Sequence, residues 1–289
     1  MKRAIEQHSP GYGRYVFDNS AAQTPSRLST LEGIWDPCTI RRLTALGVAE
    51  GARCLEVGAG AGSIARWLSD RVGDTGRVLA LDIDTRLLEP LRAPNLEIRR
   101  LDIASEQVPQ AAFDFVHARF VLEHLPDREK VLAGLVRALK PGGCLLAEDM
   151  DLLSLMADPV ANPAEVPLPS RVAQIQLMQE RGVELRYGRL LAGRLRAHGL
   201  LNVDTEGLTY MWQGGSAGVA LIRSTLEMLA DELVDSGRIG KRQLERDLAR
   251  LDDPDYMAPS GIMWAAWGRR SEHTSSIAQT HPKAVKQSR

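Results

Sequence analysis

Between residues 53 and 150 the chain alternates short, almost wholly apolar runs with segments whose apolar residues recur at three- and four-residue spacing. Leu55-Glu56-Val57, Val78-Leu79-Ala80-Leu81, Phe113-Asp114-Phe115-Val116-His117-Ala118 and the run containing Cys144 fit strands covered on both faces. A strand wetted on one side would alternate apolar and polar residues instead. The periodic segments predict helices near residues 63–72, 85–91 and 128–139. The last carries Val131, Leu132, Leu135, Val136 and Leu139 along one stripe. Strand and helix in alternation predict an α/β fold with a doubly wound, mostly parallel sheet. A helix over 36–46 would deliver the chain to the first strand.

Beyond the fifth strand the pattern changes. Asp158, Pro159, Asn162, Pro163, Pro167 and Pro169 form a proline-rich crossing, which ends any helix. Helices are expected over 170–181 and from Tyr187 to a stop at Gly199, because glycine readily ends a helix in the left-handed conformation. Strands six and seven fit residues 201–212 and 262–269. Between them, Leu221, Ile222, Leu226 and Leu229 and a charged helix near 241–251 predict a helical insertion. The expected domains are an N-terminal lid over 1–40, a main domain over 41–269 with cap insertions near 152–186 and 213–258, and a disordered polar tail over 270–289.

Leu55-Glu56-Val57-Gly58-Ala59-Gly60-Ala61-Gly62-Ser63 is the most specific chemical signal. Glycines at a strand-to-helix turn let the backbone turn sharply and approach a ligand beside the helix N-terminus. Dinucleotide-binding proteins use the spacing Gly-x-Gly-x-x-Gly, whose third place is Ser63 here. The observed Gly58-x-Gly60-x-Gly62 after the acid Glu56 resembles motif I of class I S-adenosylmethionine (SAM) dependent methyltransferases. The similarity continues through a second strand ending at Asp82, a third followed by Asp102-Ile103, a motif IV-like Phe113 to Arg119, and the turn Leu139-Lys140-Pro141-Gly142-Gly143. That resemblance implies a seven-stranded Rossmann-like sheet with a helical lid and cap, and SAM as cofactor. It implies a cofactor site of Glu56, Gly58, Ala59, Gly60, Gly62, Ser63, Asp82, Ile83, Asp102, Ile103, Ala118 and Arg119. Asp82 would accept the ribose diol, and Asp102 with its apolar neighbour would take the adenine. Asp84 reads as the cap of the helix expected at 85, and Arg27 or Arg119 could hold the cofactor's carboxylate, since a guanidinium binds a carboxylate in bidentate fashion.

Composition narrows the partners. The 289-residue chain has a net charge of -1, with Lys and Arg interspersed among Asp and Glu and no basic stripe, so nucleic acid is not the expected substrate. No apolar stretch reaches bilayer-spanning length and no signal-peptide apolar region opens the chain, so a cytoplasmic protein is expected. Cys38, Cys54 and Cys144 lack metal-ligand or redox spacing and read as small core residues; the scattered histidines give no metal site. A homodimer is compatible with the chain.

Methyl transfer from a sulfonium is an in-line displacement, for which alignment is the main requirement. A general base is needed only if the acceptor carries a proton that must leave. His124 and Tyr15 are the candidate catalytic residues. His124 follows strand four at the carboxyl edge, where doubly wound sheets bind ligands. It could serve as base, oriented by Glu123, or pack beneath the pocket. His117, within strand four, is expected to be buried and hydrogen-bonded. Tyr12, Phe17, Tyr210 and Trp212 are the candidate substrate-binding aromatics, with core packing as the alternative for each. The expected activity is methylation of a small, aromatic natural product at oxygen, nitrogen or an indole-type carbon. A SAM-binding protein without methyl transfer and a nicotinamide-dependent oxidoreductase are the alternatives.

Overall fold

Five parallel strands, β1 (Arg53–Val57), β2 (Arg77–Asp82), β3 (Leu96–Arg100), β4 (Phe113–Arg119) and β5 (Leu139–Asp151), form the larger part of a seven-stranded sheet. Antiparallel β9 (Ile262–Arg269) lies beside β5, with β6 (Leu201–Leu208) at the edge, giving the order β3-β2-β1-β4-β5-β9-β6. The computed structural model describes residues 23–154 and 168–272. Tyr12, Tyr15, Phe17, most of the proline-rich crossing and the tail from 273 lie outside the described residues.

Strand alternation explains the continuous apolar runs. Leu55, Val57, Leu79, Leu81, Val116 and Leu145 face α3 (Arg128–Ala138) and α5 (Tyr187–Ala197), whose Leu132, Leu135, Leu191 and Leu195 are fully buried. Cys54, Val78, Phe115, Cys144 and Leu146 face the other way, onto Leu43 of α1 (Thr24–Ala45) and Ile64, Leu68 and Val72 of α2 (Ser63–Val72). Burying such a Leu side chain contributes about 1.5–3 kcal/mol. Both sheet faces therefore carry core, and the carboxyl ends of the parallel strands are left to build a site. The three cysteines are buried free thiols; burial pushes Cys54 up to about 12 and Cys144 to about 11, so neither is a reactive thiolate.

The two stretches read as insertions pack into one cap. Leu168 and α4 (Pro169–Glu180) share a core with α6 (Ala217–Met228), α7 (Ala230–Asp235) and α8 (Lys241–Arg250) through Leu177, Met178, Ile222, Leu226, Leu233 and Leu244. The cap is carried on a short antiparallel ribbon of β7 (Met211–Gln213) and β8 (Met257–Pro259) that follows the β6/β9 pair.

Four expectations need correction. Residues 85–91 form a single turn, with Glu89 N–H reaching Thr85 O at 3.1 Å, because Pro90 has no amide proton to continue a helix. Asp84 is consequently no helix cap: it accepts from the Arg86 amide at 3.2 Å and from the Arg86 guanidinium at 2.9 Å. Strand six ends at Leu208 rather than Trp212, since the Tyr210 amide turns to the Ser260 hydroxyl at 2.9 Å before β7 begins. Helix α1 runs unbroken across the boundary expected at residue 40, with Pro37 tolerated inside it.

Candidate functional site

The loop after β1 has Gly58, Gly60 and Gly62 at φ +68°, +59° and +92°, which side-chain-bearing residues rarely adopt. A Cβ on Gly58 would stand 2.4 Å from a Val121 methyl, and one on Gly62 would stand 2.3 Å from Leu91 Cδ1. The loop is thus pressed between the exit of β4 and the turn after β2. Asp82, at the end of β2, fixes its middle: Oδ2 accepts the Gly60 amide at 2.8 Å and Oδ1 the Asp84 amide at 2.9 Å. Burial pushes the Asp82 carboxyl above its ordinary range, opposed by those amide bonds.

A cavity of about 520 Å³ opens over this loop. Beyond Asp82 its wall is apolar, formed by Ile83, Leu87, Leu101 and Ile103, with Asp102 beside them. Ile83 is 50% exposed, an apolar side chain left for a ligand to cover. Asp102 holds its own turn, accepting from the Ala104 amide and the Ser105 hydroxyl at 3.0 Å each.

Helix α1 supplies the facing wall. Pro25, Leu28, Leu31 and Glu32 line the cavity at helical spacing. Glu32 Oε1 accepts the Ser63 amide at 3.2 Å, at the start of α2. Burial pushes the Glu32 carboxyl up, against the pull of its Ser63 bonds. Arg119 also lines the cavity, but its guanidinium bonds Asp36 at 2.7 Å and Thr39 at 2.9 Å, tying α1 to the end of β4.

Beneath the glycine loop lies a buried charge chain. His117 Nδ1 is 2.7 Å from Glu56 and Nε2 is 3.2 Å from Glu148; Glu148 also accepts from Arg42 of α1 at 2.7 Å, and Arg42 meets Glu206 of β6 at 2.8 Å. Burial alone would lower the His117 pKa, but the two carboxylates outweigh it and raise it to about 9. Burial would raise Glu148, yet His117, Arg119 and Arg42 bring it down to about 2.

The other end of the cavity is built by the segment after β4. Phe120, Val121, His124, Leu125 and Pro126 line it. His124 Nε2 lies 3.3 Å from Glu123 Oε1, while Glu123 Oε2 accepts the Met150 amide at 2.8 Å. Asp149, buried nearby, is raised well above the usual carboxylate range by burial and then by the Glu123 charge.

With this geometry in view, residues 55–147 match the family model described as a methyltransferase domain. That match spans the glycine loop, Asp82, Asp102 and His124 together. The chain carries a class I SAM-dependent methyltransferase domain. It is 28% identical over 193 residues to methyltransferase str3 of Strobilurus tenacellus, covering 63% of this chain and 68% of that protein. It is 36% identical over 108 residues to the ubiquinone/menaquinone biosynthesis C-methyltransferase UbiE of Enterobacter sp., covering 35% of this chain and 43% of that one. The chain thus spans less than half the length of the UbiE relative. In fold it is similar to phosphoethanolamine N-methyltransferase 2 of Haemonchus contortus in complex with SAM: TM-score 0.56, 16% identity, 88% of this chain and 59% of that one.

This one cavity gathers most of the residues expected from sequence. Glu56, Gly58, Ala59, Gly60, Ser63, Asp82, Ile83, Asp102, Ile103, Arg119 and His124 line one cavity. Gly62 sits behind the loop against Leu88 and Leu91, and Ala118 is buried in β4. Arg27 turns away, its Nε donating to Thr225 of α6 at 3.2 Å. Neither Tyr210 nor Trp212 lines the cavity: Tyr210 leans on Trp35 with ring centroids 5.4 Å apart at a tilt of 49°, and Trp212 covers Gly218 of α6. Tyr12, Tyr15 and Phe17 lie outside the described residues. Pro25, Leu28, Leu31, Glu32, Phe120 and Val121 were not expected. The helical spacing of the first four was the signal that could have found them.

The residues present fit SAM, the cofactor of this family. The cavity is lined by Glu32, Glu56, Asp82, Asp84 and Asp102, while its two arginines are paired, Arg86 with Asp84 and Arg119 with Asp36, so the wall suits a cationic ligand. Asp82 would take the ribose, and the slot of Ile83, Leu101 and Ile103 the adenine.

Proposed function

We propose that this methyltransferase acts on a small, planar aromatic natural product, accepting the methyl group at oxygen, nitrogen or an indole-type carbon. One observation supports this above the others: the cavity that holds Gly60, Asp82 and Asp102 is also walled by Phe120, Val121, Leu125 and Pro126, with His124 among them. An apolar wall with few polar groups favours a flat apolar acceptor over a charged one. Relatives named for carbon methylation in ubiquinone and menaquinone biosynthesis keep carbon among the acceptor atoms.

Bound SAM supplies a methyl carbon made electrophilic by its sulfonium. The chain's part is orientation and proton handling. Orientation can contribute on the order of 7–11 kcal/mol, which makes the shaped wall the larger share of catalysis. His124 would take the proton of a hydroxyl, amine or ring carbon, and Glu123, 3.3 Å away, would stabilise the imidazolium that results. Tyr12, Tyr15 and Phe17 lie outside the described residues; Tyr15 is proposed as a catalytic residue and Tyr12 and Phe17 as substrate contacts.

Incubation with methyl-labelled SAM and a panel of phenols, aromatic amines and indoles tests the reading. Label in an extractable small product is expected. Tight S-adenosylhomocysteine binding with label in no product would point instead to a cofactor-binding role without methyl transfer.

A further inference from the structure

We propose that Glu32 of α1 accepts the α-ammonium group of the cofactor's amino-acid end, so that cofactor binding and the seating of α1 over the cavity are one event. The inference rests on SAM being the ligand of this cavity. With Asp82 committed to the Gly60 and Asp84 amides, the acids left to weigh are Glu56 and Glu32 beside the loop and Asp36 one turn further along α1. Glu56 is 3% exposed, with Oε2 held 2.7 Å from His117 in the floor. Asp36 is committed to Arg119 at 2.7 Å. Glu32 bonds Ser63 and, among the described residues, has no ion-pair partner. A carboxylate has about four acceptor directions, so Ser63 leaves room for a further donor.

Position strengthens the assignment. The first amides of α2 form the positive end of a ten-residue helix, a place that an anion would take. Glu32 already occupies it. A ligand's own carboxylate would have to displace Glu32, whereas its ammonium is complementary to Glu32 where it stands. The half-buried carboxylate carries a desolvation cost that a cation offsets. Pro25, Leu28 and Leu31 share the face of α1 that carries Glu32, so a bond to Glu32 presses all four onto the ligand.

The test is calorimetric titration of the full chain and of Glu32→Gln with three probes. These are S-adenosylhomocysteine, its analogue lacking the α-amino group, and 5′-methylthioadenosine, which lacks the amino-acid end. The wild-type chain should prefer S-adenosylhomocysteine over the deamino analogue by about tenfold or more. Glu32→Gln should lose that preference while keeping its affinity for the other two probes within about twofold. A preference retained by the variant overturns the proposal. So does an equal loss for 5′-methylthioadenosine, which would make Glu32 merely structural. A wild-type preference under about twofold overturns it without any variant, should Glu32→Gln fail to fold. Wild-type binding of 5′-methylthioadenosine separates the outcomes: if none of the three probes binds, the SAM reading itself fails.

Discussion

Nδ1 of His117 lies 2.7 Å from Oε2 of Glu56, both side chains buried under the glycine loop. With Glu148 on the other ring nitrogen, and Arg42 and Arg119 beyond, the chain links α1, β1, β4, β5 and β6 below the cavity. The lid helix and the cofactor loop therefore share one electrostatic foundation. Removing one member leaves its partners charged and desolvated, which costs more than the intact set contributes.

His117→Asn should destabilise the fold by about 3–5 kcal/mol near neutral pH, because Glu56 and Glu148 lose the cation between them. The folded pKa of about 9 stands above the ordinary 6.5, so this stabilisation is complete below pH 6.5 and declines as pH rises through 9. Urea unfolding across that window should show wild type and variant converging toward the alkaline end. A gap that stays constant would show that His117 is not protonated in the folded chain.

Asp82→Ala should weaken S-adenosylhomocysteine binding by about 1.5–3 kcal/mol, the range for hydrogen bonds to a charged group. The same carboxylate holds the Gly60 and Asp84 amides through its two oxygens, so Asp82→Asn, which keeps one acceptor oxygen, should recover only part of the loss. Calorimetry on folded variants decides; full affinity in Asp82→Ala would remove Asp82 from the cofactor site.

Gly62→Ala should cost about 1–3 kcal/mol of stability from the left-handed backbone alone, since φ is +92°. The new methyl would also meet Leu91 and Leu88 at 2.3 and 2.8 Å. Thermal unfolding should fall accordingly, with cofactor affinity reduced through the loop. An alanine tolerated without loss would mean that the loop has another conformation available.

The parts of the site that the sequence makes legible are local. Gly58 to Ser63 and Asp82 sit where an apolar strand meets a turn, and Asp102 where the alternating strand Leu96–Arg100 does; that junction is written in adjacent residues. His117 was equally readable, as a polar residue inside a buried strand must find partners. Glu32 was not, because an acid on an amphipathic helix looks like any solvated position until the fold lays α1 across the loop. Tyr210 and Trp212 misled for the converse reason. Aromatic residues near a cap suggest a pocket, but Trp35 and Gly218 claim them for packing. The unity of the cap was hidden too, since α4 and α6 meet only after α5 and β6 intervene in the chain.

His124→Ala should lower the single-turnover rate by about 10²–10⁴-fold where the acceptor must lose a proton, with S-adenosylhomocysteine affinity kept. Glu123→Gln should lower it less and shift its pH profile, since Glu123 acts only through the imidazole and also holds the Met150 amide. An unchanged rate in His124→Ala would make the residue part of the wall alone.

Phe120 has φ +56°, a strained conformation for a bulky residue, and its ring lies 6.1 Å from Trp35 and 5.8 Å from the Arg119 guanidinium while lining the cavity. Truncation loses the ring contacts in either small variant, but only glycine also relieves the backbone. Phe120→Gly should therefore be more stable than Phe120→Ala by about 1 kcal/mol, reversing the order found in ordinary helices and strands. Turnover should fall in both, because the acceptor wall is gone, while S-adenosylhomocysteine binding persists. If alanine proves the more stable, the strain is not stored at Phe120 and the ring is held by packing alone.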